Sequence, residues 1–166
     1  ALTLAGGDEE KMKKINANFP HNLAKATTAR VIHMSTDGVF SGKGGPYDES
    51  SPCDAADAYG KSKCDGEVLA PNVINILTSI IGPSPYKKKG LLEWFLAQPE
   101  GAMIQGYTNH VWNGVTTLQF AELCEIIIRE NAFDGLRKES HVFHFALNNP
   151  VTKYELLNLF KKVFGS

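Results

Sequence analysis

Three polar side chains in this sequence have the types and spacing for acid–base work on a carbonyl or an alcohol: Thr36, Tyr59 and Lys63. Tyr59 and Lys63 are four residues apart. At 3.6 residues per helical turn, positions i and i+4 share a face, so the ammonium can lie beside the phenol. A neighbouring cation favours the phenolate and lowers a tyrosine pKa from its reference of about 10. A phenol tuned in this way can give a proton to a carbonyl oxygen or take one from an alcohol, while a hydroxyl such as Thr36 orients that oxygen. A Tyr-x-x-x-Lys pair alone is common in helices as a half-buried tyrosine beside a surface lysine. Its weight here comes from its surroundings, Ser35-Thr36-Asp37-Gly38-Val39-Phe40-Ser41-Gly42, then Gly45-Pro46-Tyr47-Asp48-Glu49, then Tyr59-Gly60-Lys61-Ser62-Lys63.

The elements around these residues follow from periodicity. Met12, Ile15, Phe19, Leu23 and Ala26 recur at spacings of three and four, which predicts an amphipathic helix from about residue 8 to residue 29 with a kink at Pro20. Residues 30–35 read as a buried strand that ends at Thr36, and residues 73–77 as a second one. A strand end suits Thr36, because open α/β sheets form their ligand crevice at the carboxyl ends of the strands. Between the strands, residues 54–69 are helical by composition. Further on come a short helix holding Leu91, Leu92, Trp94, Phe95 and Leu96, strand-like pieces at 102–105 and 110–113, and a long helix from 117 to about 130 with Leu118, Ala121, Cys124, Ile127 and Ile128 on its apolar face. A short strand at 142–146 precedes Thr152 and Glu155, which form a capping-box pattern ahead of an apolar stripe from Leu156 to Phe164. Strands alternating with helices predict an α/β fold built on a parallel sheet.

Composition narrows the function classes. The 166 residues are 43% hydrophobic, enough for an apolar core, and 17 Lys+Arg against 18 Asp+Glu give a net charge of −1. No global field therefore favours nucleic acid or an anionic membrane, and no apolar run reaches the about 18 residues of a membrane span. The three cysteines, Cys53, Cys64 and Cys124, contain no C-x-x-C pair and read as free thiols of a reducing compartment, with the cytoplasm as the expectation. The five histidines show no metal-ligand spacing, so no metal site is assigned; His33 and His144 lie in strand-like runs and read as sheet or core residues. No serine sits in a G-x-S-x-G elbow. Glu49 reads as a residue that orders its loop, and Lys87-Lys88-Lys89 as a solvated tip.

The order of motifs resembles the extended short-chain dehydrogenase/reductases, in the branch containing dTDP-4-dehydrorhamnose reductase and related sugar-nucleotide reductases. That branch shows an S-T-D-x-V-F strand end, a G-x-Y-x-E loop and a Y-G-x-S-K helix in this order. Asn16-Ala17-Asn18-Phe19-Pro20 with Leu23-Ala24 is similar to its N-A-x-x-P…L-A helix, and Thr78-Ser79-Ile80-Ile81-Gly82 to its T-S-I-I-G segment, where the backbone passes the nicotinamide. Gly90 to Phe95 and Trp112 to Thr117 resemble the start of its substrate-binding part.

The resemblance implies a partial Rossmann-like, doubly wound parallel sheet lacking its N-terminal βαβ half. Residues 1–82 would form the C-terminal half of the NAD(P)-binding domain, and residues 83–166 a small α/β, mainly substrate-binding part with elements returning to the sheet. It implies NADPH or NADH as cofactor and a nucleotide sugar as substrate, and it is compatible with a homodimer. Residue by residue, Thr36 would bond the sugar carbonyl, Tyr59 would donate the proton, and Lys63 would lower its pKa and hold the nicotinamide ribose. Thr78 and Ile80 would lie at the cofactor, and Asp37 and Val39 beside the sugar. Trp112 either lines a sugar site or anchors the core of the C-terminal part. Related dehydratases carry a glutamate after the aspartate, where this chain has Gly38, which disfavours dehydration.

Two departures stand out. Leu77 replaces the arginine that usually precedes T-S-I-I-G, and no G-x-x-G-x-x-G turn for a pyrophosphate occurs in the chain. Gly42-Lys43-Gly44-Gly45-Pro46 fits neither that turn nor a P-loop and reads as a surface turn. With Ala1-Leu2-Thr3-Leu4 opening the chain without methionine, the expectation is a piece of a longer protein with little activity of its own. The activity implied is reduction of a 4-keto sugar nucleotide; a non-catalytic regulatory subunit of the same fold and a nucleotide-sugar epimerase are the alternatives.

Overall fold

The computed structural model describes residues 8–165, so the opening segment Ala1 to Gly7 lies outside the described residues. The chain divides into two compact units, one of residues up to Thr78 together with Leu123–Phe145, the other of Ser79–Glu122 and the residues from Ala146 on.

The first unit is built on a parallel sheet of three strands, β1 (Val31–Ser35), β2 (Val73–Leu77) and β6 (Val142–His144), in the order β1-β2-β6. Val31 pairs with Val73 and Ser35 with Leu77, and on the other side Asn75 pairs with Val142. All five residues of β2 are buried, as expected for a central parallel strand covered on both faces. Its one polar residue is fully engaged. The Asn75 amide nitrogen donates to the carbonyls of Val68 and His141, and its oxygen accepts from the Val68 N–H and bonds His33 Nδ1, so the buried side chain keeps its hydrogen bonds.

The helical segment before β1 runs as α1 (Glu9–Met12), a π-helical stretch Lys13–Asn18 and α2 (Phe19–Ala26). The expected kink at Pro20 takes this form, because proline has no N–H to continue the ladder and sits in the first turn of α2. Between β1 and β2 only α3 (Ala58–Cys64) is regular helix, shorter than the composition of residues 54–69 predicts. Asp57 caps its start by accepting from Gly60 N–H at 2.9 Å, and the chain turns away at Asp65. The expectation of three free thiols is also corrected: Cys53 in the preceding loop and Cys64 at the end of α3 form a disulfide with Cα atoms 6.3 Å apart, and Cys124 alone is free. Helix α6 (Phe133–Glu139), which periodicity did not predict, is fastened by Arg30, whose guanidinium bonds Asn131 and Asp134 and lies over the Phe133 ring.

The second unit pairs β3 (Ile80–Ile81) parallel with β5 (Val115–Thr116), and β4 (Val111–Trp112) antiparallel with β7 (Val151–Thr152). No strand forms at residues 102–105, where Ala102 N–H closes a turn on the Pro99 carbonyl. Helices α4 (Leu91–Leu96) and α7 (Lys153–Phe164) build the core from Leu92, Phe95, Leu156, Leu157 and Phe160. The capping box of α7 is present: Thr152 Oγ1 accepts from Glu155 N–H, and the Glu155 carboxylate accepts from Thr152 N–H. Beyond Phe160 the predicted stripe is exposed, at Val163 and Phe164. Helix α5 (Thr117–Arg129) buries Ile127 but leaves Leu118 and Ile128 in solvent, so its buried face is narrower than the apolar face predicted.

Candidate active site

The carboxyl end of β1 passes directly into Thr36, whose extended backbone and side chain cap a single 3₁₀ turn, Asp37–Val39. Thr36 Oγ1 accepts from Gly38 N–H at 3.1 Å and donates to Asp37 Oδ1 at 3.1 Å. Helix α3 packs on this turn at backbone contact. A Cβ at position 60 would lie 2.2 Å from the Gly38 carbonyl oxygen and 2.4 Å from Ala55 Cβ, so only glycine lets the helix come this close. That approach brings the half-buried Tyr59 phenol, one residue before, beside the Thr36 side chain, the two flanking Gly38. Ser62 fixes the helix further: its hydroxyl donates to the Tyr59 carbonyl at 2.8 Å and accepts from Asn16 Nδ2 at 3.0 Å.

Thr36 and Tyr59 therefore meet. Lys63 is close by but differently engaged. Only 8% exposed, it sends its Nζ to the Met34 carbonyl at 2.9 Å. Burial lowers its pKa, opposed by the charge of Glu67, whose own carboxyl is pushed up by burial and accepts the Ser35 hydroxyl at 3.0 Å. The Tyr59 phenol is raised above the ordinary tyrosine value. Burial is the main cause, the Thr36 hydroxyl opposes it, and the negative charges of Asp37 and Asp57 add to it. The expected depression of Tyr59 by Lys63 is thus reversed in this arrangement, since the ammonium is spent on a strand carbonyl and desolvation of the phenolate dominates. A phenol that holds its proton through the neutral range is suited to giving a proton rather than to taking one.

The remaining sequence-derived residues are scattered. Asp37 is exposed beside Thr36. Val39 is wholly buried against Leu77 and Val142, and its carbonyl accepts from the N–H groups of Asp54 and Ala55. Leu77, where an arginine was expected, is a core residue of the same cluster. Thr78 is buried at the end of β2. In the second unit, Ile80 is 38% exposed and lines a cavity of about 530 Å³ together with Trp112, Lys89 and Lys153. Trp112 Nε1–H donates to Ser79 Oγ at 2.9 Å, and the ring also packs on the core of that unit. Glu49 orders its loop as expected, accepting from His144 N–H at 2.9 Å.

Sequence reasoning missed the support around the site: Asn16, Ser35, Gly60, Ser62 and Glu67. The signal was there for Ser62, which stands three residues after Tyr59 and so returns near its side of the helix, but Glu67 lies beyond the end of α3, and nothing local shows that Asn16 reaches across 46 residues to Ser62. Among the described residues no cluster of His, Cys, Asp and Glu could hold a metal, and no helix is long and apolar enough to cross a membrane.

Residues 3–77 match the family of the RmlD substrate binding domain. A stretch of 42 residues, 25% of this chain and 15% of the relative, is 55% identical to the spore coat polysaccharide biosynthesis protein SpsK of Bacillus subtilis (strain 168). Among solved structures, a dTDP-4-dehydrorhamnose reductase of Clostridium acetobutylicum superposes with a TM-score of 0.72 at 25% identity, covering 95% of this chain and 57% of that one. The dTDP-4-dehydrorhamnose reductase of Bacillus anthracis, in complex with NADP, superposes with a TM-score of 0.78 at 20% identity, covering 99% of this chain and 59% of that one. The chain thus spans little more than half the length of these solved chains. Residues 3–77 are thus similar to the RmlD substrate binding domain family, and the chain shares the α/β fold of these solved dTDP-4-dehydrorhamnose reductases.

Proposed function

We propose that the protein carrying this chain reduces the keto group of a 4-keto sugar nucleotide with NADPH or NADH. The observation that carries the reading is the Thr36–Tyr59 hydroxyl pair at the carboxyl end of β1. Gly38 leaves the space beside it free: a Cβ there would stand 3.4 Å from Thr36 Oγ1 and 3.5 Å from Tyr59 Cε1. That opening, with a hydroxyl and a phenol beside it, fits the donor set that a sugar carbonyl requires.

The bound cofactor supplies the hydride to the carbonyl carbon. Tyr59 gives its proton to the carbonyl oxygen, so the ketone becomes a secondary alcohol, and the phenolate left behind is reprotonated from solvent. Thr36 orients the oxygen through its hydroxyl. Lys63 offers its remaining N–H donors to the ribose and its charge to the transient phenolate. Thr78 and Ile80 are assigned to the cofactor, and Asp37 and Trp112 to the substrate. The names of the relatives support the substrate class, since they join sugar-nucleotide reduction, NADP and polysaccharide biosynthesis. We take the cytoplasm as the compartment and a homodimer as the assembly of this reading. The chain lacks a G-x-x-G-x-x-G turn, so its 166 residues alone are expected to turn over little.

A second reading is a non-catalytic subunit of the same fold, favoured by Leu77, which sits in the core where the resemblance expects an arginine. The deciding experiment uses the natural gene product that carries these residues. NADPH oxidation that requires a 4-keto sugar nucleotide and yields the corresponding 4-hydroxy sugar nucleotide supports the reductase. No oxidation on any keto sugar, together with a stoichiometric partner enzyme in the purified material, supports the subunit.

A further inference from the structure

We propose that Glu67 is a positioning residue for Lys63: pinned by the Ser35 hydroxyl, it supplies the counter-charge that keeps the buried ammonium charged and docked on the end of β1. The inference rests on the role given to Lys63 above. Two consecutive residues of β1 receive the two groups, since the Met34 carbonyl accepts from Lys63 Nζ at 2.9 Å and the Ser35 hydroxyl donates to Glu67 Oε1 at 3.0 Å. Ser35 and Lys63 are 3% and 8% exposed.

The chain is shaped to bring Glu67 back. After α3 it turns sharply, with Gly66 N–H on the Lys63 carbonyl and Glu67 N–H on the Cys64 carbonyl. A Cβ at Gly66 would overlap the Asn16 carbonyl oxygen, so this turn is seated on the π-helical backbone and its exit is fixed. A lone ammonium taken out of water with one carbonyl for company is poorly compensated, and a carboxylate near it corrects this. The directions of the shifts agree: burial lowers the Lys63 pKa and Glu67 raises it, while burial raises the Glu67 pKa and both the Ser35 bond and Lys63 lower it. The other titratable groups facing this pair are His33 of β1, which senses the Lys63 charge and is held by Asn75, His21 of α2, which acts on His33, and Glu49, His141 and His144, which line one cavity with Glu67. Tyr59, one turn before Lys63, is governed by Thr36, Asp37 and Asp57.

The test is a titration of the Lys63 side chain by NMR in the natural protein with isotope-labelled lysine, the resonance being assigned by its loss in Lys63→Arg. Glu67→Gln is expected to lower the Lys63 midpoint by about one pH unit, Glu67→Asp to restore most of it, and the Lys61 resonance to stay unmoved. An unmoved Lys63 in folded Glu67→Gln overturns the proposal and reduces Glu67 to a structural partner of Ser35. Should Glu67→Gln fail to fold, Ser35→Ala carries the same test, because it unhooks the carboxylate from the strand; it is expected to lower the midpoint too, and no shift overturns the proposal. A shifted Lys63 in a protein without NAD(P)H-dependent reduction supports the pairing while removing the catalytic reading; active reduction with an unshifted Lys63 does the reverse.

Discussion

Replacing Gly60 with alanine adds one methyl group at the point where α3 meets the Asp37–Val39 turn. That methyl would lie 2.2 Å from the Gly38 carbonyl oxygen and 2.4 Å from Ala55 Cβ. Non-bonded carbon and oxygen approach no closer than about 3.3 Å even in favourable contacts, so helix and turn must separate by about 1 Å. Backbone atoms form the obstacle, so no side chain can swing aside, and overpacking of this kind costs about 1–3 kcal/mol. The same shift draws Tyr59 away from Thr36, and a 1 Å misplacement at a reacting group is worth about 10²-fold in rate. Gly135 is the internal control. It lies inside α6 with nothing within 4 Å of its would-be Cβ, so Gly135→Ala is expected to stabilise by about 0.5–1 kcal/mol through helix propensity. Urea unfolding of the two variants should therefore move the midpoint in opposite directions. A Gly60→Ala protein as stable as the parent, with the Tyr59 phenol titrating unchanged, would refute the close-packed account of the site.

Thr36→Val removes the hydroxyl that stands beside Tyr59 and caps Gly38 N–H; because that hydroxyl holds the phenol down, the Tyr59 titration midpoint should rise further and reduction should fall by about 10²-fold, as read by tyrosine NMR and by steady-state rates. Glu49 has its folded pKa depressed, chiefly by the His144 N–H, so its contribution to stability is complete above the ordinary carboxylate value and disappears as pH falls through the depressed one. Glu49→Gln should accordingly lower the urea midpoint at neutral pH and match the parent in acid; a constant difference across pH would contradict the assignment.

The residues of the candidate site were more legible than the way they are held. The run at 31–35 and the all-apolar flanks of Asn75 mark two parallel strands, and the i, i+4 spacing of Tyr59 and Lys63 marks one helix, because both signals are local. The direction of the Tyr59 shift was not legible: spacing puts a cation near the phenol, but burial and the Met34 carbonyl, which takes the ammonium, are set by tertiary packing. The burial of Val39 was not legible either, since its packing against Leu77 and Val142 joins residues far apart in the chain. Ser62 and Gly60, which look like filler around the tyrosine, set its position through a bond to Asn16 and a bare backbone contact.

The central claim is that Tyr59 gives the proton in a carbonyl reduction, and Tyr59→Phe in the natural gene product tests it most directly. The ring and its packing stay and one hydroxyl goes. General-acid catalysis is worth about 10²–10⁴-fold, so NADPH oxidation driven by a 4-keto sugar nucleotide should fall by at least about 10²-fold while the nucleotide sugar still binds with its parent affinity. Turnover undiminished in Tyr59→Phe would contradict the account.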